Sequence, residues 1–169
     1  AVEEALPQTE QALPQATLEV PDSAVEEFVV EGEEIVERIS SSLQGIEKND
    51  YNKDSIDALY RDAHSLKGTA YLFSYADLGD LAHAMESSLE QVRAGTHSPS
   101  SELLDALFKS LKVVESLLGN IRKKKNDPHQ KAVIEALAKA LGLAAANLKP
   151  AAALSPDKTE EKSTMAAST

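Results

Sequence analysis

Between Asp54 and Ser74 the chain reads DSIDALYRDAHSLKGTAYLFS. Ile56, Leu59, Tyr60, Ala63, Leu66 and Ala70 recur at intervals of three and four, the period of an amphipathic helix. A helix capped near Asp54 and running to about Leu72 is predicted, with Ser74 placed to cap the next one. Two long helices joined by so short a link must be adjacent and antiparallel.

Working outward, the same period recurs on both sides. Upstream, a helix capped at Asp22 or Ser23 carries Val25, Phe28, Val29, Gly32, Ile35, Val36, Ile39 and Leu43 on one stripe. Gly45 and the Asn49-Asp50 region are expected to end it. Downstream of Ser74 the stripe is Leu78, Leu81, Ala82, Met85, Leu89 and Val92, closed by Gly95. Ser98-Pro99 predicts another start, with proline at the first helical position and Glu102 near the positive end of the dipole. That helix buries Leu103, Leu104, Leu107, Leu111, Val114, Leu117 and Ile121. It finishes in Arg122, Lys123, Lys124 and Lys125, charges that suit the carbonyl end of a helix. Asp127-Pro128 opens a fifth, shorter segment with Val133, Ile134, Leu137 and Leu141. The expected fold is all-α: an antiparallel up-and-down four-helix bundle with an additional fifth C-terminal helix against its end or side.

Composition narrows the function. A chain of 169 residues can hold one domain with a sizeable core, and 4% aromatics with no tryptophan suits helices better than sheets. The absence of cysteine excludes disulfides, zinc-thiolate sites and thiol nucleophiles. A formal net charge of −11 argues against nucleic acid and against an anionic membrane as partners. Glu26, Glu27, Glu31, Glu33, Glu34 and Glu37 read as a solvated face. No apolar run approaches the roughly 18 residues of a membrane span and no signal peptide opens the chain, so a cytoplasmic location is expected. Residues 1–21, with Pro7, Pro14 and Pro21 and a near-repeat of Ala-Leu-Pro-Gln, read as a flexible linker. Residues 150–169 read as a second linker, leaving 22–149 as the domain. The start at alanine suggests a piece cut from a longer protein.

The chemistry gathers at His64. Off the apolar stripe, it is followed at i+3 by Lys67 and at i+4 by Gly68. Glycine costs roughly 1 kcal/mol against alanine inside a helix, and here its benefit would be access to the imidazole from one turn above. Lys67 would steady a phosphoryl group on the ring. On the next helix His83, Glu86 and Glu90 share a flank, which can face that of His64 when the two stripes pair. Glu86 would then accept a hydrogen bond from Nδ1–H, leaving the lone pair on Nε2 and making that nitrogen the nucleophile. His97 and His129, at helix-start loops, read as surface residues. A zinc site on His64, His83 and Glu86 lacks a fourth ligand, so no metal site is assigned.

The run His64-Ser65-Leu66-Lys67-Gly68, with Phe73 in the turn and His83-Ala84-Met85-Glu86 beyond it, resembles the phosphoacceptor motif of histidine-containing phosphotransfer (HPt) domains of the CheA type. The likeness extends over about residues 23–148 and includes the fifth helix. It implies that His64 is phosphorylated, that Glu86 is its imidazole partner, and that Lys67 and His83 form the supporting polar shell. Thr69 stands where the family often has a second glycine. Tyr71, Leu72, Ser74 and Tyr75 depart from its small residues and Gly-Phe, which bears on the helix end and on partner fit. The implied function is a phosphorelay: a kinase catalytic domain phosphorylates His64, which passes the group to an aspartate of a response-regulator receiver. The chain has no glycine-rich phosphate loop with a lysine and no acidic metal cluster after a strand. ATP and Mg²⁺ are therefore expected to arrive with those partners. The domain, expected to be monomeric, would be a carrier within a histidine kinase and not itself an enzyme. An apolar collar of Ala63, Leu72, Phe73 and Tyr75 would serve docking. The alternative is a helical interaction module that binds a partner with no phosphotransfer.

Overall fold

Each amphipathic stripe becomes a helix. The structure, a computed structural model, describes residues 19–48, 51–95, 98–126 and 129–148. Its elements are α1 (Asp22–Glu47), α2 (Lys53–Leu72), α3 (Ala76–Arg93), α4 (Ser101–Arg122) and α5 (Gln130–Ala146), and no strand occurs among the described residues. None of these helices is long and apolar enough to cross a membrane. The fold is all-α, as the periodicity requires.

Contacts across the helix pairs give the directions. Asp57 meets Arg93, His64 meets Glu86 and Tyr71 meets Asp80, so α3 descends as α2 climbs. Arg38–Asp62 and the stacked rings of Phe28 and Phe73 set α1 antiparallel to α2 in the same way. Glu26–Arg122 and the close approach of Gly32 to Leu118 do so for α1 and α4. A single core runs through the bundle, with Ile35, Ile39, Leu43, Leu59, Leu66, Leu81, Met85, Leu107 and Leu118 fully enclosed. Helix α5 lies along the side, against α3 and α4, through Ile134, Leu141 and Ala144. Val133, assigned to its apolar stripe on sequence, is 45% exposed, because α5 is covered on one narrow face only.

Helix ends differ from expectation in instructive ways. Helix α1 continues through Gly45 to Glu47 because Ile46 is one more buried position of its stripe. Neither Asp22 nor Ser23 caps it; Pro21 occupies that position and the Asp22 carboxylate pairs with Lys124 instead. Asn52, not Asp54, caps α2, in a reciprocal box with Ser55. Ser100 caps α4 by accepting from Leu103 N–H, which leaves Pro99 just outside the helix. Ser74 caps nothing. It sits at φ 64°, the left-handed residue that ends α2, while Tyr75 N–H reaches Ala70 O and Ser74 N–H reaches Tyr71 O. Asn49-Asp50, Asp127-Pro128 and Lys149 fall outside the described residues, as do residues 1–18 and 150–169 of the two proposed linkers.

The basic end of α4 also ties the bundle together through Arg122 and Lys124. Arg122 grips Glu26 and, in bidentate fashion, Glu33. Both carboxylates belong to the row read as merely solvated. This fastens the last turn of α4 to the first half of α1.

Candidate functional site

Helix α2 turns Ala63, Leu66 and Ala70 into the core, which leaves His64 on the outer flank with its side chain 61% exposed. Glu86 lies opposite on α3, one residue past the buried Met85, so packing of that stripe draws its carboxylate inward until the side chain is only 7% exposed. The two meet at 2.6 Å between His64 Nδ1 and Glu86 Oε1. An ionised carboxylate only accepts, so the proton of this bond belongs to Nδ1, and Nε2 keeps its lone pair. Among the described residues nothing pairs with Nε2.

Glu86 is held as an anion. Burial pushes its carboxyl upward, but Lys67, His64 and Tyr60 together hold it below the ordinary carboxylate value. Lys67, on α2 one turn from His64, places its ammonium against Oε2 in an ion pair that is mostly sheltered from water. One buried carboxylate thus orients the exposed imidazole with one oxygen and anchors a lysine with the other.

Tyr60 was assigned to the apolar stripe, but its phenol also lies within reach of the Glu86 charge: burial first, and then that carboxylate, push it above the ordinary tyrosine value. Its ring lies nearly parallel to that of His64, with centroids 6.3 Å apart. Arg93 lies over Tyr60, 4.6 Å from the ring centroid, and Arg93 Nε donates to Asp57 Oδ1 at 2.9 Å. Lys53 completes this chain on Asp57 Oδ2. The signal in the sequence was spacing: Tyr60 is four before His64, and Arg93 is seven after Glu86.

The remaining sequence candidates divide. A Cβ at Gly68 would meet nothing within 4 Å, so no packing demand accounts for this glycine. His83 is exposed and makes no hydrogen bond or ion pair among the described residues. The collar is revised: Ala63 is fully buried, Phe73 and Tyr75 stack on Phe28, and Leu72 stands clear of the surface. His129 is the residue preceding α5, while His97 lies outside the described residues. No three His, Asp or Glu side chains are gathered as a metal site among the described residues. A groove of about 880 Å³ between the start of α4 and the end of α5 contains none of these residues. The candidate site is an open surface, suited to a macromolecular partner.

Comparison with known proteins follows this geometry. The profile of the Hpt domain family matches residues 23–147. The chain is 35% identical over 101 residues to the chemotaxis protein CheA of Halobacterium salinarum, covering 60% of this chain and 15% of that protein. It is 32% identical over 94 residues to CheA of Treponema pallidum, covering 56% and 12%. The chain therefore spans a small part of these relatives. Among solved structures it resembles the phosphorylated P1 domain of CheA3 in complex with CheY6 from R. sphaeroides. The TM-score is 0.68 at 17% identity, over 76% of this chain and all of that one, a likeness of fold.

Proposed function

Since this chain belongs to the Hpt domain family, we propose that it is the phosphotransfer module of a CheA-like histidine kinase, with His64 as its phosphoacceptor. The observation that carries the assignment is the 2.6 Å contact from Nδ1 to the buried Glu86, on an imidazole whose other nitrogen faces solvent.

The chemistry follows from that contact. The Nε2 lone pair attacks the γ-phosphorus of ATP held by the kinase domain. An N–P bond forms, the bond to the bridging oxygen breaks, and its electron pair leaves with ADP. The ring gains positive charge as this happens, and Glu86, hydrogen-bonded to the Nδ1–H that remains, offsets it from a site fixed in advance. In the second step a receiver aspartate oxygen attacks phosphorus, the N–P bond breaks, and its pair returns to Nε2. Lys67, beside the ring, supplies positive charge toward the phosphoryl oxygens. ATP and Mg²⁺ come with the partners, and the domain acts as a carrier. The parent is a protein histidine kinase working in the cytoplasm.

The test is incubation with a CheA kinase core, Mg²⁺ and γ-labelled ATP. Base-stable, acid-labile label on the wild-type chain and none on His64→Gln, with equal helical circular dichroism, is the expected outcome. Label retained by the mutant would overturn the assignment. No label on either protein would favour a docking module without phosphotransfer.

A further inference from the structure

A single hydrogen bond fixes one point of a ring, not its plane. Glu86 holds His64 through Nδ1 alone, and with the side chain 61% exposed that contact leaves the imidazole free to swing about it. Tyr60 supplies a second contact. One turn before His64 on α2, its ring lies within 15° of parallel to the imidazole, with centroids 6.3 Å apart, inside the range of offset stacking. Tyr60 is itself held in place. It packs against the core, and the Arg93 guanidinium lies over its ring with Cζ 4.6 Å from the centroid. Arg93 is tethered in turn, because its Nε donates to Asp57 Oδ1 at 2.9 Å. Hydrogen bonds from Lys53 and Arg93 hold the Asp57 carboxyl below its ordinary value, so this tether stays an anion at neutral pH. A staple between α3 and α2 would need only the ion pair of Arg93 with Asp57. The guanidinium plane laid over Tyr60 is additional.

We propose that Tyr60 is a positioning residue for His64: clamped by Arg93 and Asp57, its ring fixes the plane of the imidazole, so that Nε2 points outward in one direction while Nδ1 stays on Glu86. The proposal rests on the phosphotransfer reading and adds to it the means by which the nucleophile is aimed. Phosphoryl transfer needs the attacking lone pair in line with the bond that breaks, and a misplacement of about 1 Å can cost a factor of about 100. Glu86 decides which nitrogen is the nucleophile, and Tyr60 decides where it points. No bond is made or broken at Tyr60. Leucine would fill the same period of the α2 stripe, so packing alone does not ask for an aromatic ring at this position. The same holds for Arg93. A lysine there would still pair with Asp57, but only a guanidinium has a plane to lay on the ring.

Two measurements on the full chain separate aiming from folding. Long-range ¹H–¹⁵N spectra of the neutral His64 ring should show one tautomer, with the proton on Nδ1, in the wild type and in Tyr60→Phe. Tyr60→Leu and Arg93→Lys should show a mixture of both tautomers. In labelling by a CheA kinase core with Mg²⁺ and ATP, Tyr60→Leu should lower kcat by about tenfold, with KM for the domain changed less than about twofold. Arg93→Lys should lower kcat by about threefold, and Tyr60→Phe should stay within about twofold of the wild type. Thermal melts report folding, and Arg93→Lys carries the test if Tyr60→Leu melts below the assay temperature. Wild-type kcat in the folded variants would overturn the proposal, as would a single Nδ1–H tautomer in them. A raised KM with kcat unchanged would also overturn it, since Tyr60 would then be a contact for the kinase. Failure of the wild-type chain to be labelled at all would instead count against the phosphotransfer reading, and the ring-nitrogen spectra, which need no kinase, would still decide whether Tyr60 places His64.

Discussion

At the residue scale the site turns on one buried carboxylate and one missing side chain. Glu86 fixes the imidazole tautomer from a position that water scarcely reaches, which a surface carboxylate, free to rotate and screened, would do poorly. In the proposed reading, Gly68 contributes by absence. Because a Cβ there would meet nothing, Gly68→Ala should stabilise the chain by about 1 kcal/mol through helix propensity alone. Gly68→Gln should fold as well as the wild type yet be labelled by a kinase core about tenfold more slowly, because the added side chain lies over the approach to His64. Thermal melts and labelling rates of the two variants check this. A lower melting temperature in Gly68→Ala would mean the glycine serves the fold. The sequence made the His64–Glu86 encounter legible, since each residue sits on a definable flank of its helix. It hid Tyr60, whose period matches the core while its ring lies beside His64 and under Arg93.

At the scale of single elements, two substitutions should move stability in opposite directions. Ser74 holds the left-handed position that ends α2, where a side chain costs energy and glycine does not. Ser74→Gly is expected to stabilise by about 0.5–1 kcal/mol, the strain relieved exceeding the entropy that glycine adds to the unfolded chain. Gly32 lies in α1 where an ideal Cβ would come within 2.8 Å of the enclosed Leu118. Gly32→Ala should therefore cost about 1–2 kcal/mol by overpacking α1 against α4, even after its gain in helix propensity. Denaturant titration of both proteins measures the two signs. A stabilising Gly32→Ala would mean that Leu118 can yield, and a destabilising Ser74→Gly would mean that the serine has a contact worth more than its strain.

At the scale of the whole molecule, charge ties the helices together. Arg122 joins the end of α4 to α1 through Glu26 and Glu33, Arg38 joins α1 to α2 through Asp62, and Arg93 joins α3 to α2 through Asp57. Acid should loosen part of this frame. Glu86 is held below its ordinary value of 4.5 by Lys67, His64 and Tyr60 against the opposing effect of burial. Asp57 is held below 3.8 by hydrogen bonds from Lys53 and Arg93. A carboxyl with a lowered folded-state pKa stabilises the fold above its unfolded value, and that contribution is lost as pH falls through the folded value. The melting temperature should thus be level from about pH 7 to 5 and decline below about 4.5, with a shallower decline in Glu86→Gln. Circular dichroism melts across that range provide the measurement, and parallel acid slopes in wild type and variant would show that Glu86 contributes nothing to them.

The amino-acid sequence by itself determined the five helices, the tight α2–α3 link and the side of α2 on which His64 stands. Periodicity is a property of one helix, and it states which direction along each is apolar. Only the tertiary structure decided how far each helix is shifted and rotated against its neighbours. That register carries α1 past Gly45 to bury Ile46, exposes Val133 and lays Tyr71 across Gly79. It also brings Glu26 and Glu33 to Arg122 across nearly a hundred residues of chain. Such pairings depend on the simultaneous packing of all the stripes, and no single stretch of sequence contains them.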